Sequence, residues 1–100
     1  MKVFLSEIAE TKLSQLSSYL LENWGQKTRT DFFKRLTKRL NQISSHPESC
    51  PKSEEFGGIY KCVVTKQTTL YYRILKGVGE IEIITVFDSR QYPNTLQKEL

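Results

Sequence analysis

The sequence has no long apolar run. No stretch approaches the about 20 apolar residues that a membrane-spanning helix needs. The opening MKVFLSEIAE offers only a short apolar run before Ser6 and Glu7. It therefore does not read as a secretory leader, and without one the ending QKEL is no retention signal. The expectation is a cytoplasmic protein without membrane contact. Cysteine is scarce too, with only Cys50 and Cys62. In a reducing compartment both are expected as free thiols. They stand at unrelated spacing to the single histidine, His46. No zinc site follows from that pattern, and neither a metal nor a cofactor is expected. Glycine and proline number only five and three, and no repeat, linker or low-complexity segment appears.

What the chain does hold is enough apolar material for one core. It has 100 residues, 38% of them hydrophobic, with eleven aromatics. Such a chain reads as a single folded domain, residues 1–100, rather than a disordered one. Its formal charge of +4 and pI of about 9.1 favour an acidic partner, either nucleic acid or an acidic protein.

Lys2 to Leu5 reads as a short strand. Ser6 then looks like a helix N-cap, with Glu7 in the favourable first turn. Ala9, Leu13, Leu16, Leu20 and Trp24 follow at helical spacing. Gly25 is a natural residue to end that helix. A second helix runs from Gln26 or Lys27 to Ser45, striped by Phe33, Leu36, Leu40 and Ile43 with Phe32 beside it. Pro47 forbids its continuation, and His46 reads as part of the helix stop. Residues 46–58, HPESCPKSEEFGG, are a loop by composition. The period then changes to two in IYKCVVT, LYYRILK and EIEIITVFD. Their links are short enough to force an antiparallel meander. The expected class is α+β, ordered β-α-α-β-β-β: an antiparallel sheet of about four strands with a helix hairpin on one face.

Alternation divides the meander. Tyr60, Cys62, Val64, Leu70, Tyr72, Ile74, Ile81, Ile83 and Phe87 are assigned to the core. The other face takes Lys61, Tyr71, Arg73 and Glu82, together with Ile59, Val63, Leu75, Ile84 and Val86. That mixed face fits a binding surface, unless the tail or the long loop folds over it. Charge is concentrated elsewhere. Lys27, Arg29, Lys34, Arg35, Lys38 and Arg39 stand against one acid, Asp31, giving +5 locally. This is either a solvated helix face or an electrostatic footprint for phosphates or acidic protein.

Taken in order, IAETKLSQLSSYLLENWG, the basic helix ending LNQISSHPESCP, GGIYKCVV, LYYRI and IEIITVFDSRQYP resemble the RelE/ParE superfamily. Its members are toxins of bacterial type II toxin–antitoxin systems. A strand ending in Asp-x-Arg-Gln and followed by proline is similar to the ParE-type, plasmid-stabilisation branch. The resemblance implies a toxin neutralised by a cognate antitoxin that wraps it, with operator DNA bound only through the antitoxin. It also implies one of two targets, unless the chain is an inactive relative or another interaction protein of this fold. RelE-like members cut messenger RNA on the ribosome; ParE-like members trap DNA gyrase and hydrolyse nothing themselves.

Cleavage through 2′-OH attack needs a proton acceptor, a proton donor and cations for the phosphorane. Lys61 falls where the resemblance places a first catalytic lysine. Arg73, Arg90 and Tyr92 would complete a nuclease set. Val63 and Leu70, however, stand where further cations are expected. The ParE-like reading is therefore preferred. The expected target surface is Lys34, Arg35, Lys38, Arg39, Lys61, Arg73 and Arg90. The expected antitoxin contacts are Leu16, Val63, Tyr71, Leu75, Ile84 and Val86. For Arg73 an ion pair with Glu82, and for Arg90 one with Asp88 or the C-terminal carboxylate, are the plain alternatives.

Overall fold

A computed structural model describes residues 1–91. Six elements follow in the expected order: β1 (Lys2–Leu5), α1 (Glu7–Trp24), α2 (Gln26–Ser45), β2 (Tyr60–Val63), β3 (Thr68–Leu75) and β4 (Glu80–Asp88). Ser6 caps α1, its hydroxyl accepting from the Ala9 N–H at 3.0 Å, and Glu7 and Glu10 occupy the first turn. Gly25 has φ of 91°, a conformation that glycine adopts without strain. Its N–H closes α1 on the Leu21 carbonyl, and α2 starts at the next residue.

The sheet order is β1-β4-β3-β2. The three-strand meander is antiparallel as the short links require. β1 corrects the all-antiparallel expectation: it lies along β4 and runs parallel to it, from Lys2 opposite Glu80 to Leu5 opposite Ile83. The sheet is mixed. A four-residue strand alternates identically in either direction, so its sequence carries no signal for this.

A second correction concerns β4. Tyr71 pairs with Thr85 but Tyr72 pairs with Ile83, so Ile84 is a bulge residue without a partner. One extra residue reverses the faces beyond it. Val86, expected on the open face, is 2% exposed in the core, and Phe87, expected in the core, is not part of it. The bulge also has a use. The Ile83 carbonyl accepts the Ser6 N–H, and the freed Ile84 carbonyl accepts the Ser6 hydroxyl at 2.6 Å. The start of α1 is thus fastened to the sheet.

The core joins Ala9, Leu13, Leu16 and Leu20 of α1 to Phe32, Leu36 and Ile43 of α2, and both to Leu70, Tyr72, Ile81, Ile83 and Val86. Each large aliphatic buried this way contributes about 1.5–3 kcal/mol. Phe32 is buried and meets the half-buried Phe33 edge-on at 5.2 Å. Trp24 departs from the predicted stripe and is 57% exposed; the buried residues of α1 end at Leu20.

Candidate functional site

Arg90 grips Asp88. Its Nε donates to Oδ1 at 3.0 Å and its Nη2 to Oδ2 at 2.8 Å, while its backbone N–H also donates to Oδ1 at 2.9 Å. Thr68 on β3 donates its hydroxyl to Oδ2 at 2.7 Å. Asp88 is buried. Burial alone would raise its pKa, but the hydrogen bonds from Arg90 and Thr68 outweigh that and hold it below the usual carboxylate value. The Arg90 guanidinium lies 5.9 Å from the Tyr19 ring of α1. The ion-pair alternative for Arg90 therefore holds.

This position decides which residues meet. Asp88 lies opposite Thr68, on the side of the sheet under the helices, where both are buried. Lys61 is opposite Tyr71 and Arg73 opposite Glu82, on the other side. Arg73 is itself paired, its Nε 2.7 Å from Glu82 Oε1. Lys61, Arg73 and Arg90 therefore do not converge. Tyr92, the fourth member of the nuclease set, lies outside the described residues.

Arg90 instead joins the helix hairpin. A recess of about 220 Å³ is lined by Arg90, Arg35, Asp31, Thr28, Thr65 and Gln67, floored by Leu20 and Phe32. Beside it, a groove of about 500 Å³ runs between the helices, lined by Ser17, Arg29, Thr30, Phe33, Lys34 and Thr37. Lys34, Arg35 and Lys38 are exposed. Arg39 is half-buried, donating to Gln42 Oε1 at 2.8 Å. Lys2, Arg73 and Arg90 pair with Glu80, Glu82 and Asp88, and among the described residues no cation of α2 has an acidic partner.

The long loop covers part of the open sheet face. Lys52 bridges to Tyr60, and the Lys61 N–H donates to the Pro51 carbonyl at 2.9 Å. A recess of about 340 Å³ results, lined by Pro51, Lys52, Ser53, Glu54, Glu55, Phe56, Lys61 and Tyr71. Burial, then the charge of Glu55, push the Tyr71 phenol above its ordinary pKa.

The expected antitoxin contacts divide accordingly. Leu16 and Val86 are 1% and 2% exposed; as core residues they have no surface to offer. Tyr71 is buried beside the loop. Val63 is 53% exposed, and Leu75 and Ile84 are half-buried.

Two features escaped the sequence reading. The exposed Leu21 and Trp24 form an apolar end to α1; Trp24 in the last turn before Gly25 was the available signal. Cys50 falls opposite Cys62 in the register that Lys52 and Tyr60 set. Burial first, then the neighbouring Cys50 thiol, push the Cys62 pKa up to about 12. Both thiols are free, and Cys62 stays protonated and unreactive at neutral pH. Among the described residues no group of three ligating side chains gathers, and no helix is long and apolar enough to cross a membrane.

Residues 3–93 match the family described as "ParE toxin of type II toxin-antitoxin system, parDE". The chain belongs to the ParE toxin family. It is a ParE-type toxin, and such a toxin has a cognate antitoxin as partner. The fold agrees. The chain resembles a chain of the chromosomal ParDE system from P. aeruginosa with a TM-score of 0.74 at 11% identity, covering 88% of this chain and 95% of that one. It also resembles the isolated RelE toxin of E. coli, with a TM-score of 0.60 at 17% identity, covering 99% and 98%. At those identities the likeness extends to the fold. No curated protein sequence matches the chain.

Proposed function

We propose that this ParE-type toxin acts by binding and poisoning DNA gyrase, with no hydrolytic chemistry of its own. The observation that carries the reading is the division of the candidate cations by the sheet. Lys61 and Arg73 lie on one side and Arg90 on the other, with Arg73 and Arg90 both committed to carboxylates. A transesterification needs its proton acceptor, proton donor and phosphorane cations within reach of one phosphate. Lys61 also shares its recess with Glu54 and Glu55, whose charges repel an incoming polyanion. A poison asks only for a surface, and the uncommitted cations of α2 supply a basic one. The antitoxin is proposed to reach the accessible part of the open sheet face around Val63, Leu75 and Ile84.

The test combines purified toxin with gyrase, supercoiled plasmid and ATP, and in parallel with ribosomes programmed with a message. Accumulation of gyrase-cleaved plasmid with an intact message is the expected result. Codon-specific cuts in the message that vanish in Arg90→Ala, with no trapped gyrase, would overturn it.

A further inference from the structure

The charge of this protein resides on one helix. Residues 27–39 carry +5 where the whole chain carries +4, so the remainder is close to neutral. The helix is oriented by its apolar side, since Phe32, Leu36 and Ile43 are buried. At about 100° per residue, Lys27, Asp31, Lys34, Lys38, Asn41 and Ser45 fall on the opposite side with Arg35 flanking them. All of these are exposed. Lys27, Lys34 and Lys38 span about 16 Å at the helical rise of about 1.5 Å per residue. None has an acidic partner among the described residues.

The composition of that stripe selects the kind of partner. Protein interfaces draw most of their energy from a few buried anchors, chiefly tryptophan, tyrosine and arginine. The stripe has no aromatic side chain and its flanking Arg35 is exposed; the apolar side chains of the hairpin lie in the groove behind it or on α1. Phosphate binding needs no anchor. It is driven by counterion release when lysines and arginines neutralise the backbone, with hydroxyl and amide side chains adding hydrogen bonds. Asn41 and Ser45 on the stripe, and the exposed Thr30 and Thr37 beside it, are of that type.

We propose that the solvent face of α2, through Lys27, Lys34, Arg35 and Lys38, binds the phosphate backbone of duplex DNA directly and without regard to sequence. The toxin then touches DNA itself, separately from any contact its antitoxin makes. The inference stands on α2 alone and does not require gyrase to be the target. If gyrase is the target, the same face meets the DNA that the enzyme holds.

The experiment uses the free toxin, without gyrase or antitoxin, and a fluorescent random-sequence duplex followed by anisotropy at increasing salt. Binding is expected at low salt, with log K falling against log salt at a slope of about −3 for three to four neutralised phosphates. Lys34→Gln and Lys38→Gln are each expected to weaken binding to every sequence alike and to lower the slope by about 1. Both side chains are exposed, and circular dichroism checks that the fold is kept. Lys2→Gln, outside the stripe, is expected to change neither. Three results would overturn the proposal: no binding at low salt, slopes unaltered by the α2 substitutions, or tighter α2-dependent binding of an acidic peptide or anionic vesicles than of the duplex. Because gyrase is not present, failure here leaves the gyrase proposal standing, and failure of the gyrase assay leaves this one standing.

Discussion

Asp88 is buried yet ionised because four donor contacts converge on it, three from Arg90 and one from Thr68. This carboxylate closes the last strand against β3 and α1. Asp88→Asn leaves Arg90 without its counter-charge, and a loss of about 2–3 kcal/mol is expected in urea unfolding. The pH dependence follows from its lowered pKa. The unfolded state takes up its proton near 3.8, while the folded state takes it up only at lower pH. Between those values the unfolded form binds more protons, so acid destabilises the fold. The stabilisation is complete above about 4 and disappears as pH falls through the folded value. Asp88→Asn should flatten that part of the stability–pH curve. In the sequence, Asp88 and Arg90 were legible both as an ion pair and as part of a functional edge. What the sequence could not give was the side of the sheet on which Arg90 emerges, because that depends on the bulge at Ile84.

At the scale of elements, the helices and the meander were readable because each rule acts locally: the Ser6 cap, the stop at Gly25, the period of two after residue 58. The bulge and the direction of β1 were not, since both are set by a neighbour distant in sequence. Ser6 is where these two meet. Its hydroxyl caps α1 and donates to the bulge carbonyl of Ile84. Ser6→Ala should therefore cost about 1–2 kcal/mol, at the upper end for an N-cap, measured as a shift in the denaturation midpoint at constant m-value. The reversal of faces at the bulge also separates surface from core among the expected antitoxin contacts. Val63→Glu should leave the melting temperature nearly unchanged and weaken the antitoxin complex by about tenfold or more, read by calorimetric titration, as a charge buried in an apolar contact would. Leu16→Glu should instead lose the fold, since it puts an unpaired charge into the core. Unaltered affinity in Val63→Glu would move the antitoxin away from the open face.

Across the whole molecule, the sheet acts as a partition. The loop of residues 51–58 and Lys61 lie on one side of it; the helix hairpin, Arg90 and the concentrated positive charge lie on the other. The order of elements made the family legible, because such an order is a property of the chain. The partition was not legible, and the proposed gyrase reading rests on it. A poison works by occupancy, an enzyme by turnover, and the two differ in stoichiometry. The most direct measurement is a titration of toxin against a fixed amount of gyrase on supercoiled plasmid, scoring trapped cleaved plasmid. The account predicts that cleaved plasmid rises with toxin and saturates at a fixed ratio of toxin to gyrase. No trapped plasmid at any ratio, with substoichiometric toxin cutting a ribosome-bound message to completion, would contradict it.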